Sequence, residues 1–253
     1  MTATRRFNAP PAARYVHPHA VTEVEGEHDR ALDIADEASP NYLTWIADLC
    51  RPALGARVLE VGAGFGAITM RYSEGRDVLA TDISDECLAA LHRRFDASPN
   101  VRVARLDIRE PDPTERFDSA LMVNVLEHIE DDAGALASLR RVVRPGGTIV
   151  LYVPALNGLY GVWDRKVGHF RRYSKWRVRG VAREAGLEVQ ELRYANILAI
   201  PAWFVFSRSK VETTIGQGLS LWDRTGVPLG RAIESRVPMP IGLNLLAVLR
   251  NPA

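Results

Sequence analysis

The sequence has two cysteines, Cys50 and Cys87, in 253 residues, and they make no C-x-x-C or other metal-ligand spacing. Each falls on the apolar side of a predicted helix, where it reads as a buried free thiol, and no metal site is expected. Net charge is almost absent: 32 basic against 31 acidic residues leave +1, which supplies no basic field for a dedicated nucleic-acid binder. No apolar run reaches the ~18 residues that span a bilayer. The longest candidate, Tyr194–Phe206, is too short and carries Pro201. The first residues, with Arg5, Arg6, Pro10 and Pro11, lack the apolar stretch of a secretory signal. These absences point to a reducing, cytoplasmic setting. Neither an internal repeat nor a low-complexity tract is present.

What is present is the composition of a globular protein, 47% apolar and 25% charged, in a chain long enough for one domain with decorations. Residues 1–36 are polar, proline-bearing and aperiodic and form an expected arm or cover; residues 37–253 form the expected domain. Ser39-Pro40 reads as a helix start, with serine as the cap, and Leu43, Ile46, Ala47 and Cys50 follow as an apolar stripe. Strands and helices then alternate. The expected strands are Arg57–Val61, Asp77–Thr81, Val101–Leu106, Ser119–Val123 and Thr148–Val153, each short and mostly apolar, as covered parallel strands are. Helical patterns lie between them at Gly66–Ser73, Ser84–Phe95 and Glu130–Arg144. This order predicts an α/β fold with a parallel sheet. After Val153 come a basic loop, a helix from about Ser174 to Gly186, a strand at Glu188–Arg193, an apolar insert over 195–240 and a last strand at Leu243–Leu249.

The most informative segment is V-L-E-V-G-A-G-F-G at Val58–Gly66, a buried strand opening into a glycine turn. Glycines let backbone approach a ligand closely, and the next helix presents free N–H groups there. The turn alone is ambiguous, because Gly62, Gly64 and Ala67, with Asp82 ending the next strand, also satisfy a dinucleotide fingerprint. Three features point elsewhere. Glu60 sits inside the strand, a second acid, Asp107, ends the third strand, and the fourth runs into N-V-L-E-H at Asn124–His128, with R-P-G-G at Arg144–Gly147 before the fifth.

Together these motifs resemble the class I S-adenosylmethionine-dependent methyltransferases, strongly over residues 40–155. V-P-A-L-N-G-L-Y-G at Val153–Gly161, G-H-F-R-R-Y at Gly168–Tyr173 and the terminal G-L-N-L-L-A-V-L-R resemble one bacterial subgroup acting on small molecules. The resemblance implies a Rossmann-like seven-stranded sheet with an antiparallel last strand, helices on both faces and the insert before that strand. It implies S-adenosyl-L-methionine as cofactor. Gly62 and Gly64 would pass under its methionine part, with Glu60 near the ammonium. Asp82, beside Ile83, would hold the ribose hydroxyls, Asp107 would face the adenine amino group, and the Ile108 backbone would lie beside the ring. Asn124 and Val125 would line the sulfonium end. Carboxylates suit a cofactor that is cationic and carries no phosphate.

Methyl transfer to oxygen or carbon needs a base, whereas an amine need only arrive neutral. The candidates are His128, after the fourth strand on the cofactor edge, His169 in the basic loop, and the tyrosines 152, 160 and 173. The plain alternative for each histidine is a loop-shaping hydrogen bond. Tyr15 in the arm, Arg171, Arg172 and Trp203 are the candidate acceptor contacts. The two arginines could receive an acidic group or simply pair with nearby acids. The apolar insert offers three roles: a lid over a hydrophobic acceptor, a homodimer face or a peripheral membrane contact. The expected function is methylation of a small, hydrophobic or aromatic molecule. The alternatives are a lipid-linked acceptor and a non-catalytic partner that keeps the fold.

Overall fold

The computed structural model describes residues 39–110, 115–206 and 215–252; Tyr15 and the expected arm lie outside them. Seven strands form one sheet: β1 (Arg57–Val61), β2 (Asp77–Asp82), β3 (Val101–Arg105), β4 (Phe117–Val123), β5 (Val143–Pro154), β6 (Glu188–Ala195) and β7 (Asn244–Arg250). Their order is β3-β2-β1-β4-β5-β7-β6. The pairs from β3 to β5 are parallel, and β7 runs antiparallel to both its neighbours, β5 and β6. The topology expected from the motifs is therefore the one found.

Side-chain alternation explains why both faces are covered. In β1, Val58 enters one apolar core with Ile46, Leu91, Leu121 and Tyr152, while Leu59 and Val61 enter the other with Leu139, Leu151 and Val178. The first face carries α1 (Pro40–Cys50), α2 (Ala67–Tyr72) and α3 (Asp85–Phe95). The second carries α4 (Asp132–Val142), and beyond α5 (Val162–Lys166) in the basic loop, α6 (Lys175–Glu184). Leu136 and Leu139 of α4 are fully buried, so cutting either to Ala costs about 2–5 kcal/mol.

Some boundaries differ from the sequence expectation. The helix expected over Glu130–Arg144 starts later, because Asp131 caps it by accepting the Gly134 N–H at 2.8 Å. It also stops earlier. Val143 already pairs with Phe117, Thr148 pairs with Ser119, and Arg144–Gly147 bulge out between them. Ser39 does not cap α1. Asp223, 182 residues beyond Asn41, does so: its carboxylate accepts the Asn41 and Tyr42 N–H groups at 3.0 and 2.8 Å.

Asp223 belongs to the insert, which contains α7 (Ile200–Phe206) and α8 (Ile215–Glu234). Glu234 accepts the Asn196 and Ile197 N–H groups at 3.1 and 2.8 Å, tying the end of α8 to the exit of β6. Trp203 and Trp222 pack with Leu156 and Leu159 of the loop after β5. The insert thus folds back over α1 and over the loops at the carboxyl edge of the sheet. Among the described residues no helix is long and apolar enough to cross a membrane.

Candidate active site

The carboxyl ends of β1, β2 and β4 bring the glycine turn, Asp82 and Asn124–Val125 to one edge, where open α/β sheets hold ligands. Gly62 and Gly64 have φ of +69° and +55°, which glycine adopts without strain. A Cβ on Gly62 would lie 2.4 Å from Val125 Cγ2, so the turn seats directly against the residue after β4. The Gly64 N–H donates to Asp82 Oδ2 at 2.9 Å. Asp82 Oδ1 accepts from Ile83 and Ser84 N–H at 2.8 and 2.9 Å. Asp82 is therefore fixed by backbone on both oxygens, and each oxygen keeps acceptor capacity beyond these bonds.

Glu60 faces α2. Its Oε2 accepts from Thr69 Oγ1 at 2.6 Å and from the Tyr72 hydroxyl at 2.8 Å, and burial raises its carboxyl to about 7. It lies at the end of β1 below the turn and braces α2. Asp107 is open to solvent and pairs with Arg109, whose guanidinium holds the Asp107 carboxyl below the usual range. Ile83 is 62% exposed, whereas the Ile108 side chain is buried in the core, leaving only backbone at that position. An uncovered apolar side chain near an accessible acid, above a turn without side chains, fits a nucleoside with a cationic amino-acid tail. Asn124 is exposed with a φ of +52° and donates its N–H to the Tyr152 carbonyl at 2.8 Å, which holds the end of β4 against β5.

The two histidines that the sequence offers as bases are brought together by the fold. His128 and His169 meet edge to face with ring centroids 4.6 Å apart. His169 Nδ1 lies 2.9 Å from Asp164 Oδ1, and its Nε2 lies 3.9 Å from Glu127 Oε1. The Phe170 N–H donates to the Glu127 carbonyl at 2.8 Å, which locks the G-H-F loop onto the segment after β4. Glu127 is wholly buried, and burial raises its carboxyl to about 8. Burial opposes the charge on Asp164 too, but His169 and Arg172 outweigh it and keep that carboxyl below its ordinary value. Asp164 and Glu127 are contributors that motif reading passed over; the traceable signal was an acid next to each histidine, one directly before His128 and one five residues before His169.

The tyrosines and arginines have other work. The Tyr160 hydroxyl donates to the His169 carbonyl at 2.7 Å. Tyr152 and Tyr173 are buried; the first bonds the Tyr42 hydroxyl and the second donates to the Leu126 carbonyl. Arg171 donates to the Ile129 and Glu130 carbonyls and pairs with Asp132 at 3.1 Å. Arg172 is buried, donates to the Ala155 carbonyl, lies 2.9 Å from Asp164 Oδ1 and stacks 4.9 Å over the Trp203 ring. Both arginines, with Asn157, Tyr160 and Arg177, border a cavity of about 250 Å³.

Comparison with known proteins bears on the fold and the family. A model of the methyltransferase domain matches residues 59–149. The ubiquinone biosynthesis O-methyltransferase of Thiobacillus denitrificans is 30% identical over 175 residues, which cover 62% of this chain and 74% of that protein. The enzyme of that name from Alkalilimnicola ehrlichii is 30% identical over 148 residues, covering 54% of this chain and 60% of its own length. A geranyl diphosphate methyltransferase solved with S-adenosylmethionine superposes with a TM-score of 0.60 at 15% identity, covering 82% and 85% of the two chains, a likeness of fold. The chain belongs to the class I S-adenosylmethionine-dependent methyltransferases.

Proposed function

We propose that this protein binds S-adenosylmethionine at the glycine turn and transfers its methyl group to a hydroxyl oxygen of a small, largely apolar molecule. The observation that carries the reading is the clamp between Asp82 and the Gly64 N–H. It joins the two motifs that would hold the sugar and the methionine part. Asp82 would accept from the ribose hydroxyls, Ile83, Asp107 and the Ile108 backbone would flank the adenine, and Gly62, Gly64, Asn124 and Val125 would pass along the methionine and sulfur. Glu60 would act from below, by holding α2 and the turn. The cofactor supplies an electrophilic methyl carbon on a positive sulfur.

The remaining work falls to this chain's own residues. The acceptor oxygen must sit about 3 Å from that carbon, opposite sulfur, with water kept out. Attack by its lone pair would form the C–O bond while the C–S bond broke with its electron pair passing to sulfur. The hydroxyl proton leaves toward the His128–His169 pair, oriented by Asp164. Trp203 and the insert would wall the acceptor site. The two relatives named above as O-methyltransferases of ubiquinone biosynthesis support an oxygen acceptor. A cytoplasmic setting suits the two buried free thiols. The test is methylation of phenolic acceptors with labelled cofactor. Label transferred to oxygen supports the reading, and label found only on nitrogen or carbon acceptors overturns the hydroxyl assignment.

A further inference from the structure

No metal is expected from the sequence, because its cysteines form no ligand set, yet the fold assembles one from other residues. One ligand atom each from Glu127, His128 and His169 lies within 4.8 Å of the others. Glu127 is 0% exposed, and among the described residues neither of its carboxylate oxygens has a hydrogen-bond partner. Buried carboxylate oxygens are costly to leave unmatched. The surroundings meet only part of that demand, through the nearness of its own backbone N–H and of the Arg172 charge: His169 Nε2 stops 3.9 Å from Oε1, beyond a hydrogen bond.

His169 is also prepared in the way a metal ligand is. Its Nδ1 faces the Asp164 carboxylate at 2.9 Å, so the proton resides there and the lone pair of Nε2 is directed toward Glu127 and His128. A carboxylate behind the distal imidazole nitrogen fixes tautomer and orientation in metal sites. Asp164 is itself buried, held by the Gly161 N–H at 2.9 Å and by Arg172. The loop carrying His169 is pinned to Glu127 through its backbone.

From this arrangement we propose that Glu127, His128 and His169 bind one divalent transition-metal ion beside the acceptor site. Two imidazoles and one carboxylate suit ions such as Zn²⁺ or Mn²⁺ better than Mg²⁺ or Ca²⁺, which favour all-oxygen shells. Ligand atoms around such an ion stand about 3–4 Å apart at bond lengths of about 2.1 Å, so binding draws the three side chains together by roughly an ångström. Three protein ligands leave coordination positions open. His128 and His169 are partly accessible. The assigned role rests on the methyl-transfer reading: with the ion held by the histidines, a hydroxyl coordinated there is acidified and loses its proton to solvent rather than to the two rings before its oxygen attacks the methyl carbon.

The test is calorimetric titration of chelator-treated full-length protein with Zn²⁺ and with Mn²⁺, alongside Mg²⁺. One equivalent of Zn²⁺ or Mn²⁺ should bind at micromolar concentration or tighter. Glu127→Gln and His169→Ala should weaken that binding by at least about 100-fold, and Asp164→Asn by about 10–100-fold. If Glu127→Gln does not fold, His128→Ala, at a half-buried ring, carries the same comparison. No Zn²⁺ or Mn²⁺ binding by wild type up to ~1 mM, or equal binding by wild type and these variants, overturns the proposal. Each protein is also titrated with S-adenosylhomocysteine in the metal-free state. Retained nucleoside binding without metal binding rejects the metal site alone, whereas lost nucleoside binding by wild type rejects the methyltransferase assignment.

Discussion

Asp82 Oδ2 accepts the Gly64 N–H at 2.9 Å, so the acid that ends the second strand also fixes the turn leaving the first. Asp82 therefore has two roles, as the proposed partner of the ribose and as the anchor of the glycine turn. Asp82→Ala should weaken S-adenosylhomocysteine binding by about 1.5–3 kcal/mol, the scale of hydrogen bonds to a charged group. Asp82→Asn keeps one acceptor oxygen and should lose less. Isothermal titration of both variants checks the order; equal loss in the two would assign the effect to charge rather than to the clamp.

Gly62 is constrained by backbone and by space at once. Its φ of +69° disfavours any side chain, and the missing Cβ would meet Val125 Cγ2 at 2.4 Å. Gly62→Ala should destabilise the fold by about 1–3 kcal/mol. Adding Val125→Ala relieves the clash but not the dihedral, so the double variant should recover only part of the loss in urea unfolding. Full recovery would mean that the backbone conformation costs nothing.

Glu60 makes stability depend on pH in a definite direction. Its folded-state carboxyl is raised to about 7 from 4.5, so the folded chain holds this proton while the unfolded chain releases it. The stabilisation is complete below about pH 4.5, falls as pH rises to about 7 and is then gone. The loss is on the order of 3 kcal/mol. Glu60→Gln keeps an oxygen acceptor for Thr69 and Tyr72 and should flatten the difference in that window. Denaturation of both proteins from pH 4.5 to 8 measures it; parallel curves would contradict the buried, protonated carboxyl.

The alternation of parallel strands and helices was legible because it depends on local patterns, and the antiparallel last strand followed from the family resemblance. Short apolar runs, glycines at the turn and acids at strand ends each act within a few residues. Elements set by distant contacts were not legible. Ser39 has the right chemistry to cap α1, yet Asp223 from the insert fills that place. Arg171 and Arg172 look like an anion cup in a basic stretch, but Asp132 and Asp164 answer their charge. Glu60 shares the glycine motif, but strand alternation turns it toward Thr69 and Tyr72. The pairing of His128 with His169, 41 residues apart in the numbering, arises only when the basic loop docks on the segment after β4.

His169 should matter for turnover and little for cofactor affinity. His169→Ala is expected to lower kcat by ~10²-fold, with S-adenosylhomocysteine binding kept within about twofold because the ring's partners are Asp164, Glu127 and His128. Asp164→Asn should lower kcat with a smaller change in KM, since it acts by orienting His169. Steady-state kinetics with any acceptor found active separates the two; an unchanged kcat in both variants would return the pair to a structural role.

The most direct measurement is calorimetric titration of the wild-type protein with S-adenosylhomocysteine. Saturable binding near one equivalent per chain, weakened by Asp82→Ala, is the expected result. No heat and no protection from thermal unfolding at high micromolar ligand would contradict the assignment of the strand-edge acids and glycine turn to this nucleoside.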